Sequence, residues 1–562
     1  MKQTCPTRSR HQNVRCLGVS ILLVAELVCA VGTVAHSQTS AAHPPAASLT
    51  QQLREALNSA KGGDPQRAMA LAVQMLQEHP DFVPAIKLKG MLLEQAGRTA
   101  EAGVAYEQGL KFAPNDPDLL LKTGIYKLAA GDKEDAVKLL LHCTRIDPGD
   151  GDAQFYLAQA YHLSGQDDLA VRAMRQSVKA EPDNAAIAQK YGELLCSTRN
   201  FADGLQWLLK AKERDSKLPH LNYDLAWAEY SLMDLVRAEE YASLAVKEQP
   251  KDANALLLLA SAQLKLEQWQ NAQENFERVL TLRAADVNVL LDLGHCQLEL
   301  KDYQGAVQSL RSALRLDPTQ LLAHFYLSRA FAAMGRTADA QRESSLHHLM
   351  MEQATFVRSR ENDEREGAIR AQAQQLLADN DEKAALALYR EHFKGTSNTP
   401  GDAYVFVGKT YLFMGRISDG VRCLQYALKI EPNVRGAHTY TGILALRDGD
   451  LPKAESEFKA ELENDPNYQL AIAELGEVRY RQERWSEASQ QLSRSHTITP
   501  ELLYMLCDSE LHLGKTQDAD LTAELVAAYG RNNQQLMQDL IVLLRSNQRT
   551  GAAERVSASL TP

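Results

Sequence analysis

Eight cysteines, a paired histidine and a few aromatic clusters are the side chains best suited to chemistry in this 562-residue chain. Cys5, Cys16 and Cys29 fall within the first 37 residues. The other five, Cys143, Cys196, Cys296, Cys423 and Cys507, lie far apart, with neither a Cys-x-x-Cys nor a Cys/His zinc spacing. Isolated cysteines of this kind read as small apolar residues destined for burial. His347-His348 with Met350-Met351 offers imidazole and thioether donors for a soft metal. Adjacent histidines on a helix diverge by about 100°, however, so the pair reads as an ordinary helix end. The chain contains no HExxH, no glycine-rich phosphate loop after a strand and no nucleophile elbow. Acid pairs such as Glu239-Glu240 are solvated helix-surface charges. The expectation is therefore no catalysis, no cofactor and no metal. Recognition remains. Tyr223, Trp227 and Tyr230 fall on one helical face, and aromatics with polar tips are good anchors for a partner chain. The competing reading is that they pack against the next element.

The elements that must position these residues repeat. In Gly90–Pro114 two short helical patterns meet at a turn around Gly97, with small residues at Gly90 and Ala102 and an aromatic at Tyr106. Pro114 ends the second pattern, because it has no N–H to donate. This reads as a helical hairpin whose backbones touch where no bulky side chain keeps them apart. The pattern recurs every 34 residues from Leu49 through Leu321, nine times without insertion. Place eight reads Ala56, Gly90, Gly124, Ala158, Gly192, Ala226, Ala260, Gly294 and Ser328. Place twenty is alanine in every repeat but one, where it is Gly204. Gly97, Gly131, Gly165 and Gly335 share the inter-helix turn, which suits a left-handed residue. Asn115, Asp150, Asp183 and Asp252 are the expected N-caps. Phe201, Trp269 and Tyr303 share place seventeen and are expected to wedge between hairpins.

A 34-residue period with this grammar resembles the tetratricopeptide repeat family. The resemblance covers nearly all of the chain after about residue 48. It implies an all-α, right-handed superhelical solenoid of about fourteen helix-turn-helix hairpins. The first helix of each hairpin would then line a concave groove. The family mostly binds other proteins, so the resemblance implies a protein or peptide partner. In the family, places two, five, nine and twelve tend to face the groove. Carried over, they give Phe155, Gln159 and His162, then Gln189, then Tyr223, Trp227 and Tyr230. Asn254, Asn288, His295, Phe325 and Arg329 follow. The basic clamp that some members use needs Lys and Asn at places five and nine. Those places are mostly Leu, Phe, Tyr, Gln and His here, so an acidic chaperone tail is not the expected ligand. No non-repeat segment is long enough for the catalytic domain that some members carry.

Residues 1–37 read as a secretory signal: a basic start, an apolar run from Leu17 to Ala35 and a small-x-small site at Ala35-His36-Ser37. The run is close to membrane-spanning length, so an uncleaved anchor is the alternative. Either way the repeats would lie outside the cytoplasm. Residues 38–48 read as a tether. A nine-repeat array then covers 49–353. A charged hinge and a degenerate hairpin with Ala384 as its small contact occupy 354–400. A second array with a capping helix spans 401–545, and 546–562 form a tail. The formal charge is −11; the first 37 residues contribute +3, which leaves −14 on the rest. An acidic chain argues against nucleic acid. The reading is a non-catalytic, exported scaffold. Its rivals are an accessory subunit of a glycan-handling or secretion enzyme complex, or a cytoplasmic regulator if the first 37 residues are not an export signal.

Overall fold

A computed structural model of the protein describes residues 46–358, 361–393, 399–496 and 499–560. The export segment with Cys5, Cys16 and Cys29, and the tether up to residue 45, lie outside the described residues. Among the described residues there are thirty helices and no strand. They pair into fifteen hairpins of an all-α repeat solenoid, one more than the rhythm suggested. None of the helices is long and apolar enough to cross a membrane.

The small-residue rhythm sets the hairpin contact. Ala56, Ala68, Ala102, Ala158 and Ala272 are each 0% exposed. A Cβ on Gly124 would lie 2.6 Å from Leu140 Cγ, and one on Gly192 would lie 2.6 Å from Leu208 Cγ. Place eight is small because the place-24 side chain of the same hairpin lies over it. The inter-helix turn is left-handed throughout, as at Gly131 with φ of 85°. In later hairpins Arg199, Met233, Glu267 and Lys301 hold the same turn at φ of 57–67° without a glycine.

Caps are set one residue before the first helical position. Asp150 and Asp252 cap as expected, accepting from the N–H of Ala153 and Asn254. In two hairpins the cap falls one residue later than expected, at Asp116 rather than Asn115 and at Asn184 rather than Asp183. Pro117 occupies the first turn after Asp116, which fixes that register.

The chain forms two compact parts, one up to Glu248 and one from Gln249 onward. Hairpins one to six lie in the first part, and hairpins seven to fifteen in the second. The break in rhythm at 354–400 does not divide them, because the last hairpins pack back onto the ninth within the second part. The degenerate tenth hairpin, Glu361–Ala378 and Glu382–His392, buries Ala373 and Ala385 completely. Its small contact is therefore Ala385 and not Ala384, whose N–H is taken by the Asp381 cap. The stretch expected to be a tail is also helical. Gln534–Ser546 and Thr550–Leu560 form a fifteenth hairpin, with Ala552, Ala553 and Val556 buried.

Candidate protein-docking faces

In the first part, the sixth hairpin's opening helix, Leu221–Ser231, carries Tyr223, Trp227 and Tyr230, each half-buried. Trp227 is held edge-on by Phe201 of the fifth hairpin, with ring centroids 5.9 Å apart. That contact fulfils the wedge expected of place seventeen and fixes the indole from behind. Phe155 and Gln159 are half-buried on the fourth hairpin, where Phe155 meets Tyr156 edge-on at 5.2 Å. His162 is exposed, and its Nδ1 lies 2.7 Å from Asp167.

Gln189 is placed differently from its neighbours in the groove list. It is 4% exposed, and its amide donates to Asp224 Oδ2 at 2.7 Å and to the Pro219 carbonyl at 3.0 Å. Burial pushes the Asp224 carboxyl well above the usual carboxylate range, and the neighbouring Glu193 adds to it. Gln189 thus joins hairpins five and six and presents nothing to a partner. Similar bridges join hairpins two and three: Tyr126 donates to Glu94 at 2.7 Å, and Lys87 pairs with Asp116 at 2.7 Å.

In the second part, Asn254 is half-buried and Asn288 exposed. A column of rings crosses hairpins seven to nine. Trp269 meets His295 at 5.3 Å, and His295 stacks on Tyr326 at 4.4 Å with planes 14° apart. Phe325 follows at 5.5 Å from Tyr326, then His347 at 5.6 Å from Phe325. Phe325 is 39% exposed, an open apolar ring within the column. Arg329 lies beside it, also exposed, paired with Glu299 at 3.1 Å. Burial lowers the His295 pKa, opposed by Glu299, so the stacked imidazole favours its neutral form.

The reactive side chains offer little else. The five described cysteines are buried and unpaired. Burial pushes the thiols of Cys143, Cys196, Cys296 and Cys423 up to about 12. His347 Nδ1 lies 2.9 Å from the Leu321 carbonyl, while His348 turns outward to Glu352. Among the described residues no group of three His, Cys, Asp or Glu could hold a metal ion.

Two family models, each described as tetratricopeptide repeat, match residues 60–123, 127–194, 257–321 and 408–468. The chain is a tetratricopeptide repeat protein. Its relatives include BBSome complex member bbs-4 of Caenorhabditis elegans, 22% identical over 198 residues, 34% of this chain. Another is the type IV pilus assembly protein PilF of Pseudomonas aeruginosa, 22% identical over 163 residues, 28% of this chain. The matches span 42% and 64% of those relatives' own lengths. A solved structure of Pseudomonas aeruginosa PilF aligns with 37% of this chain and 96% of its own, at 21% identity and a TM-score of 0.34. Repeats of this family bind protein or peptide partners.

Polar residues inside this tetratricopeptide repeat protein were missed by reading places one at a time. In three hairpins, places eleven and twenty-three form a buried hydrogen-bonded pair. Asn275 donates to Gln263 at 2.9 Å, Ser309 to Gln297 at 2.7 Å and Thr522 to Glu510 at 2.8 Å. The constant spacing of twelve residues between polar partners was the available signal.

Proposed function

We propose that this protein is a non-catalytic, exported scaffold that holds a protein or peptide on the ring-lined faces of its hairpins. The observation that carries the reading is the exposed Phe325 of the ring column, beside Arg329. A stack braced ring against ring loses little side-chain freedom when a partner settles on it. An open aromatic edge with a guanidinium alongside is the composition of an interface hot spot. Tyr223, Trp227 and Tyr230, with Trp227 met edge-on by Phe201, are a second candidate face in the first part. The acidic balance of the chain favours protein over nucleic acid. Export rests on the three-part layout of residues 1–37.

The test is crosslinking in the native cell envelope, followed by quantitative recovery of whatever is bound. Phe325→Ala with Arg329→Glu, and separately Tyr223→Ala with Trp227→Ala, should each reduce recovery at least about tenfold. Far-ultraviolet circular dichroism should stay unchanged. Full recovery with both double variants would remove these faces from the function. Sequencing the N-terminus of the recovered chain tests export: a start near Gln38 supports it, and an intact Met1 in the soluble cytosol refutes it.

A further inference from the structure

The second part closes on itself. The ninth hairpin's second helix, Thr337–Arg358, has 22 residues, whereas the eighth's has 14. Leu346 and Met350 on that helix are each 2% exposed. They belong to one buried cluster with Ala523, Val526, Met537 and Leu540 from the last two hairpins. Arg531 donates to the Leu316 carbonyl at 3.1 Å, across 215 residues of sequence.

Alongside this apolar contact runs a file of alternating charges. His324 lies 2.7 Å from Glu343, and Glu343 lies 3.0 Å from Arg342. Arg342 lies 3.7 Å from Glu524, which is 2.6 Å from Arg555. Arg555 reaches Asp520 at 3.5 Å, and Asp520 is held by Arg549 at 2.6 Å. The Arg342–Glu524 step crosses between the two sides.

The composition of that step matters. Stripping a buried charge of its partner is strongly destabilising and holds two surfaces together. Here no charge is stripped. If the sides part, Arg342 keeps Glu343 and Asp339, the latter at 3.3 Å. Glu524 keeps Arg555, and Asp520 keeps Arg549. Glu343 keeps His324. Each side is electrostatically complete alone. The crossing pair fixes the register of the contact and adds little to its strength.

We propose that hairpins fourteen and fifteen form a reversible clasp on the ninth hairpin, opening and closing without unfolding either side. Closed, it caps the Leu346–Met350 end of the ninth hairpin, as a terminal repeat caps a stack. Open, it uncovers that end.

The test uses the full chain with Cys5, Cys16 and Cys29 changed to serine. Spin labels go on Ser344→Cys and Val542→Cys, both at exposed positions, while the five described cysteines stay buried. In a urea titration, the distance between labels should lengthen at lower urea than the loss of helical ellipticity. Arg342→Glu sets a carboxylate against Glu524 and should raise the open fraction about tenfold in the absence of urea, at unchanged ellipticity. If Arg342→Glu fails to fold, Leu346→Ser serves the same purpose. A label distance that changes only together with ellipticity overturns the proposal. So does an open fraction that Arg342→Glu and Leu346→Ser both leave unchanged.

Discussion

The third and ninth hairpins are built to one plan and end in different states. In the third, Pro117–Ala129 and Lys133–Ile146, Gly124 and Ala136 are sealed under Leu140. In the ninth, the same two places, Ser328 and Ala340, are only half-buried. The third closes at Pro148; the ninth has Glu352 at that place, and its helix runs on. Beside its apolar core the ninth carries a buried polar pair, His324 against Glu343, with Arg342 reaching out. A hairpin sealed by small residues needs no neighbour out of sequence. A hairpin that gives up the seal gains a helix long enough to receive one.

The sharpest way to break this contrast is at place eight. Gly124→Leu forces a branched side chain into the space of Leu140 and should cost about 3 kcal/mol. Ser328→Leu at the same place of the ninth hairpin should cost less than about 0.5 kcal/mol. Hydrogen exchange of the two hairpins in the full chain reads both. Equal losses would mean that the seal is not what distinguishes them.

Next comes the buried polar pair of places eleven and twenty-three. Hairpins seven and eight place Gln263 and Gln297 there, but the fourteenth, Pro500–His512 and Thr516–Gly530, places Glu510. Burial pushes that carboxyl up from 4.5 to about 7. Between those values the folded chain holds a proton that the unfolded chain releases. Its contribution is therefore complete at low pH and is lost as pH rises through about 7. Glu510→Gln should stabilise the second part by up to about 3 kcal/mol at pH 8 and by almost nothing near pH 4.5. Thermal melts at the two pH values check this; a variant that gains equally at both would show that ionisation is not the cause.

The smallest effect belongs to the turns. Glu267 holds a left-handed conformation, φ 57°, that Gly131 adopts freely in the third hairpin. Glu267→Gly should stabilise by about 1 kcal/mol, visible as a small rise in melting temperature. A loss would mean that the Glu267 side chain contributes more than its backbone strain costs.

The hairpins were legible because their determinant is local: two small residues twelve apart, repeated. The caps were legible to within one residue, since Asn115 and Asp116 are both competent and only the position of Pro117 chooses between them. Phe201 could be assigned to a wedge from its place alone, and it meets Trp227 of the next hairpin. Gln189 could not be assigned to its bridge, because its fate depends on Asp224 in the next hairpin. The clasp was not legible at all. Arg342 and Glu524 are unremarkable helix charges until a distant hairpin returns to join them.

The five interior thiols have a consequence for where such a chain can travel. With four of them pushed up to about 12 and all five out of solvent, thiolate is scarce at neutral pH. Oxidants and alkylating agents act on thiolate, so they find few targets in the folded hairpins. The folded repeats can pass from a reducing to an oxidising environment with their sulfur chemistry unchanged, owing nothing to disulfide-forming catalysts.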